Sequence, residues 1–146
     1  MHTRLLPLLV VASISLAITS SIAKPVAPNH PLIGTWRITL NLPTGRCDEI
    51  HSIRPDGTSR VTSREEIAES EYEISDEPNE KGFYTWIDTI TKGNGKPDCL
   101  GQVTPVGDVA TNYVVFHPSG NMFVLCIEQS LDRCIGPFVR QKDGDA

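Results

Sequence analysis

The chain reads as an all-β protein, an antiparallel up-and-down barrel of about eight strands, with a β-sandwich as the alternative. Three observations carry that reading. Turn signals recur at strand-like intervals: Pro43-Thr44-Gly45, Pro55-Asp56-Gly57, residues 78–82, residues 92–96, Gly107-Asp108 and Pro118-Ser119-Gly120-Asn121. Pro fixes φ at the first turn position, and Gly or Asn accepts positive φ later in the turn. Between the turns lie runs rich in Val, Ile, Thr, Tyr, Phe and Trp, the residues that suit a pleated, half-buried surface. Third, even spacing of short strands with almost no helical pattern is the mark of a barrel or sandwich.

Taken in order, residues 1–23 read as an export segment. His2 and Arg4 make a short polar start, residues 5–18 are apolar, and Ser21-Ile22-Ala23 offers small residues where a signal peptidase reads. The apolar run is shorter than the ~20 residues a spanning helix needs. The first cysteine is Cys47, too distant for a lipid-modified N-terminus. Residues 24–31, with three prolines, read as an extended lead-in. Residues 32–141 form the single β-domain, and residues 142–146 a flexible tail.

Within the domain, Trp36, Ile38, Leu40 and Leu42 alternate with Arg37, Thr39 and Asn41, the pattern of a half-buried strand. Residues 61–73 include Arg64-Glu65-Glu66, which suits a helix by propensity; the turns on both sides favour a strand. Tyr72 and Ile74 alternate with Glu71, Glu73 and Ser75. Residues 83–90, 109–117 and 122–128 follow as strands. The last strand is 134–141, where Gly136 and Pro137 predict a bulge or an edge. Residues 53–57 and 116–120 share an apolar–basic–Pro–polar–Gly pattern, which two copies of one turn explain.

Composition bounds the function. The 146 residues are one domain's worth of chain and carry a net charge of −5. Clustered Lys and Arg are needed to neutralise phosphates, so nucleic acid and anionic lipid are excluded as partners. Four cysteines in an exported chain imply two disulfides, with three possible pairings. Cys126 and Cys134 flank the turn at 129–132, which favours their pairing and leaves Cys47 with Cys99. An exported, periplasmic or extracellular, monomeric protein is expected.

Gly34-Thr35-Trp36 opens the first domain strand, Asp56-Gly57-Thr58 follows at the second hairpin, and Arg140 ends the last strand. In these residues the chain resembles the small exported lipocalin-like (calycin-type) barrels. That resemblance implies that Gly34, Trp36 and Arg140 close the bottom of the barrel, the guanidinium lying over the indole. It carries no ligand identity.

No catalytic signature stands out. His30, His51 and His117 lack partners at ligand spacing, so no metal site is expected, and no cofactor. There is no G-x-S-x-G, and oxidised cysteines cannot act as thiolate nucleophiles. Gly93 and Gly95 belong to a hairpin loop, since no helix start follows. Neighbouring acids such as Asp48-Glu49 and Glu65-Glu66 point to opposite faces of a strand, although carboxylates from different strands can still meet across a barrel mouth.

Two non-catalytic roles are therefore expected. One is a small apolar ligand held in the barrel by Trp86, Tyr84, Tyr113 and Phe116. The other is a basic exported protein, bound as by an inhibitor or immunity protein through an acidic hairpin. Residues 65–80 hold eight acids and one Lys-free, Arg-free stretch, with Glu71, Glu73 and Glu77 as the expected contacts.

Overall fold

Eight antiparallel strands follow one another around a closed barrel in the computed structural model, which describes residues 23–142. The strands are β1 (Gly34–Leu42), β2 (Gly45–Ile53), β3 (Thr58–Ser63), β4 (Glu66–Ile74), β5 (Tyr84–Gly93), β6 (Val109–Phe116), β7 (Met122–Cys126) and β8 (Cys134–Arg140). Nearly all of the export segment, and the tail beyond residue 142, lie outside the described residues. No helix occurs among the described residues.

The period-2 rule is plainest in β1 and β4. Trp36 and Ile38 are buried while Arg37 between them is not, and Glu66, Ala68, Ser70 and Tyr72 are buried while the residues between them are not. Directly opposed residues share a face, so the register carries this alternation around the barrel: Trp36 stands opposite His51, His51 opposite Val61, and Val61 opposite Ala68. The sequence treated 61–73 as one piece. The structure breaks it into β3 and β4 at a two-residue turn, Arg64-Glu65, with Arg64 at φ 53°. Tight hairpins need positive φ and usually mark it with Gly or Asn; an arginine there gives no such signal.

The lower end of the barrel, where β1 starts and β8 finishes, is plugged by the lead-in. That segment is not simply extended. The His30 N–H bonds to the Ala27 carbonyl and the Ile33 N–H to the His30 carbonyl, making two turns. These swing Leu32 beneath Trp36, and both side chains are fully buried. Trp36 Nε1 donates to the Leu32 carbonyl at 2.7 Å. His30 Nδ1 accepts from the Leu32 N–H at 3.1 Å, and Nε2 donates to the Ser75 carbonyl at 3.2 Å. Burial holds His30 below its ordinary value, against the Ser75 bond and the nearby Asp76 and Glu77 charges.

Arg140 completes the closure. Its guanidinium carbon lies 4.1 Å from the centroid of the Trp36 ring. Nη1 donates to the Ile33 carbonyl at 2.8 Å, Nη2 to the Pro31 carbonyl at 2.7 Å and Nε to the Gly120 carbonyl at 3.3 Å. Gly34 sits against this fork at φ +137°, and a Cβ there would lie 2.5 Å from Nη1. Only glycine meets both demands.

The upper end is braced covalently. Cys47 of β2 is bonded to Cys99 in the β5–β6 loop, and Cys126 to Cys134 across the β7–β8 hairpin. Such bridges fit an oxidising compartment. Cys99 is buried, and its N–H bonds to Ser63 Oγ at 2.9 Å.

The closure predicts two costly substitutions. Gly34→Ala should lower stability by about 1–3 kcal/mol through backbone strain and displacement of Arg140. Arg140→Lys keeps the charge but loses the fork, and should cost about 1–3 kcal/mol. Urea unfolding followed by tryptophan fluorescence reads both. Replacing Cys47 and Cys99 by Ser together should cost about 4 kcal/mol on loop-closure entropy, measured the same way.

Candidate functional site

The barrel interior divides into two unlike halves. Its lower half is a packed aromatic core of Trp36, Tyr72, Trp86, Val114, Phe123 and Phe138, with Tyr84 and Phe116 against it. Phe123 and Phe138 are stacked at 4.6 Å, and the Trp36 and Phe123 rings meet edge to face at 4.7 Å. Of the four side chains expected to line an apolar ligand cavity, Trp86 is therefore core, and Tyr84 and Phe116 are partly buried against it. Tyr113 follows the other strand parity, next to buried Val114 and opposite Thr85 and Cys126, and so faces outward. These four residues do not form one lining. Aromatic side chains are few in this chain, and filling the core to native density uses most of them.

The upper half is polar. Glu49 and His51 of β2 share the inward face, being two residues apart. Ser59 and Ser63 of β3, Glu66 and Ser70 of β4, Asp88 of β5 and Asn112 of β6 share it by register with Ile53, Glu49, Ser63, Ser59, Tyr72 and Trp86. His51 Nε2 lies 3.5 Å from Glu49 Oε2. Ser63 Oγ donates to Glu49 Oε1 at 2.8 Å. On the opposite side, Ser70 Oγ donates to Asp88 Oδ1 at 2.9 Å, and Ser59 and Ser70 hydroxyls are 2.7 Å apart. His51 also meets Phe138 edge to face at 5.2 Å, so the imidazole sits where the polar half rests on the aromatic one.

Access differs from residue to residue. Trp36, Val114 and Phe138 are at most 1% exposed, and so nearly are Ser59, Ser63 and Ser70 of the polar half, with Glu66 at 7%. The His51 and Glu49 side chains keep 14% and 17% exposure. Val61, Asp88, Ile90 and Asn112, which share the inward face, are half-buried. Solvent therefore reaches part of the polar half, at His51, Glu49, Asp88 and Asn112.

The electrostatics follow from this placement. Burial works against a charged Glu49, but the hydrogen bonds from His51 and Ser63 and the His51 charge outweigh it and hold the carboxyl below its ordinary value. For Asp88 burial wins. It raises the carboxyl above its ordinary value against the Ser70 bond and the His51 charge. The two inward carboxyls are thus shifted in opposite directions, Glu49 down and Asp88 up. Trp86 Nε1, at the junction of the halves, is a buried donor with no protein acceptor in reach. Such an orphan is costly and asks for an explanation.

This arrangement can hold a ligand by hydrogen bonds and charge. The hydroxyls of Ser59, Ser63 and Ser70 are engaged with carboxyls or with each other. A nucleophilic serine instead needs its hydroxyl on a base such as an imidazole. Among the described residues no group of three or more His, Cys, Asp and Glu side chains is placed to hold a metal ion.

The acidic run is split by the register. Glu66 turns inward, is 7% exposed and accepts from the Thr104 N–H at 3.3 Å. Glu69 faces outward but stands opposite Arg60 and pairs with Lys92 at 3.3 Å. Glu71 and Glu73 share the outer face, where they line a shallow depression of about 150 Å³ with Lys24 and Ile87. Glu77 is exposed in the β4–β5 loop. The eight acids therefore do not make one surface.

Sequence reasoning passed over the polar interior. Glu49 was paired with its neighbour Asp48, which does point away, rather than with His51 two residues on. That i, i+2 spacing was the available signal. Asp88 lay in a strand read only for its apolar residues.

No family model, curated protein sequence or solved structure matches this chain.

Asp88 gives a pH prediction. A raised native value means that the fold is penalised wherever the unfolded chain would ionise this carboxyl. The penalty is absent below the ordinary Asp value and is fully present above the native one. Asp88→Asn should therefore unfold at higher temperature than the parent at about pH 8 and at the same temperature near about pH 3. Thermal melts across that range read the sign.

Proposed function

We propose that this chain is a non-catalytic binding protein, built on a lipocalin-like plan, that takes a small polar ligand into the upper half of its barrel. The observation that carries this reading is the set of inward polar groups, of which His51, Glu49, Asp88 and Asn112 keep partial access to solvent while Trp36, Val114 and Phe138 below them are closed off. The ligand is polar rather than apolar, because the aromatic half that would take an apolar one is filled by its own side chains.

The groups suggest the ligand's chemistry. Charged Glu49 accepts from a cationic or N–H donor group. Asp88, when protonated, donates or accepts. A barrel of eight strands has room for packed side chains or for one small ligand, and here the packed side chains occupy the lower half. Export from the cell belongs to the same reading, through the two disulfides and the leader-like first 23 residues.

Native mass spectrometry of protein purified gently from its own host tests this. A non-covalent mass of a few hundred daltons that leaves on unfolding is expected. Glu49→Gln should weaken retention of that molecule by about tenfold or more. Folded protein that releases no small molecule, and binds none from a host extract, overturns the reading.

A further inference from the structure

Among the described residues the ladder between β1 and β8 is two residue pairs long. β8 meets β1 through Trp36 opposite Arg140 and Arg37 opposite Val139. Continuing that register would place Thr39 opposite Pro137. Proline has no N–H to give a ladder, and β8 leaves β1 at this point. Gly136 beside it has φ +144°, and β7 shifts register between Phe123 and Leu125. Above the last pair, β1 from Ile38 to Leu42 is bonded to β2 alone.

Backbone polarity shows which groups line this opening. The Thr35 carbonyl accepts from the Gln141 N–H, so Thr35 turns its backbone groups toward the seam. In an antiparallel strand alternate residues bond to alternate neighbours. Thr39 and Asn41 therefore also turn their N–H and C=O groups toward the seam, where no residue of β8 stands opposite them. A row of unladdered backbone groups is a template for another strand.

The outer side of the seam is a groove of about 300 Å³ lined by Arg37, Thr39, Arg46, Pro137, Val139 and Gln141. The guanidiniums of Arg37 and Arg46 flank one wall beside Asp48, whose carboxylate bonds to Arg46 at 3.2 Å and interacts electrostatically with both. The other wall is apolar, with Val139 40% exposed. On the inner side, partly buried Leu40 borders the opening.

From this edge, groove and charge we infer that the β1–β8 seam accepts an extended peptide as an added strand, with acidic side chains outward and apolar side chains inward. Main-chain bonds to Thr39 and Asn41 supply the pairing, and the alternation of the strand supplies the selectivity. An outward carboxylate faces Arg37 and Arg46. An inward aliphatic side chain covers Leu40. The site lies on the wall of the barrel and is independent of a ligand in its interior.

The probe is a blocked octapeptide of alternating Val and Glu, added to the full mature protein and followed by amide hydrogen exchange. Protection of the Thr39 and Asn41 amides should rise about tenfold or more at saturating peptide, and weaken with salt. A peptide of the same sequence with alternate amides N-methylated should give no protection. Thr39→Pro removes a receiving N–H while leaving the β2 ladder, and should abolish the effect. Arg46→Glu, an exposed change that keeps the fold should Thr39→Pro not do so, should weaken binding about tenfold. Unchanged exchange at saturating peptide, equal protection by the methylated peptide, or protection that arises only from pairing of two copies of this chain overturns the proposal.

Discussion

Arg140 sits on the face of Trp36 and reaches three main-chain carbonyls from two distant parts of the chain. A guanidinium on an indole is worth about 0.5–2 kcal/mol, and each charged hydrogen bond adds on a similar scale. The location matters more than the sum. Arg140 ends the last strand, Trp36 opens the first, and Pro31 and Ile33 belong to the segment that plugs the base. One side chain thus joins both ends of the sheet and the plug. Gly34 is required because the fork leaves no room for a Cβ.

With the base fixed in this way, the rest of the barrel is free to differ. The seam above Arg140 need not zip, because closure is already achieved below, and Pro137 ensures that it does not. The upper loops are held by disulfides instead of packing, and the interior beneath them is polar. Buried carboxyls and an orphaned indole N–H reduce stability. Such costs persist where a site is useful and the scaffold can carry them. Here the aromatic lower half and two covalent bridges are the compensation.

The fold was largely legible because its signals are local. Turn residues, period-2 alternation and the Gly-Pro pair in the last strand each act within a few residues. The β3–β4 turn was not, since Arg64 adopts positive φ without a glycine to announce it. The site was hardly legible. Glu49 and His51 show their shared face through spacing alone, but Asp88 and Ser70 reach them from other strands. The layout of the acidic run was not legible for the same reason: eight like charges in sequence separate once Glu66 faces inward and Glu69 meets Lys92, which leaves Glu71, Glu73 and Glu77 on the outside.

The amino-acid sequence by itself determined the strand class and the approximate strand number, because these rest on backbone sterics and alternation; the closing trio of Gly34, Trp36 and Arg140 came from the resemblance to lipocalin-like barrels. Only the tertiary structure decided which side chains share the barrel interior, that the aromatics fill one half of it, and that the seam stays open above Val139. Those outcomes depend on register across all eight strands, a property that no single segment encodes.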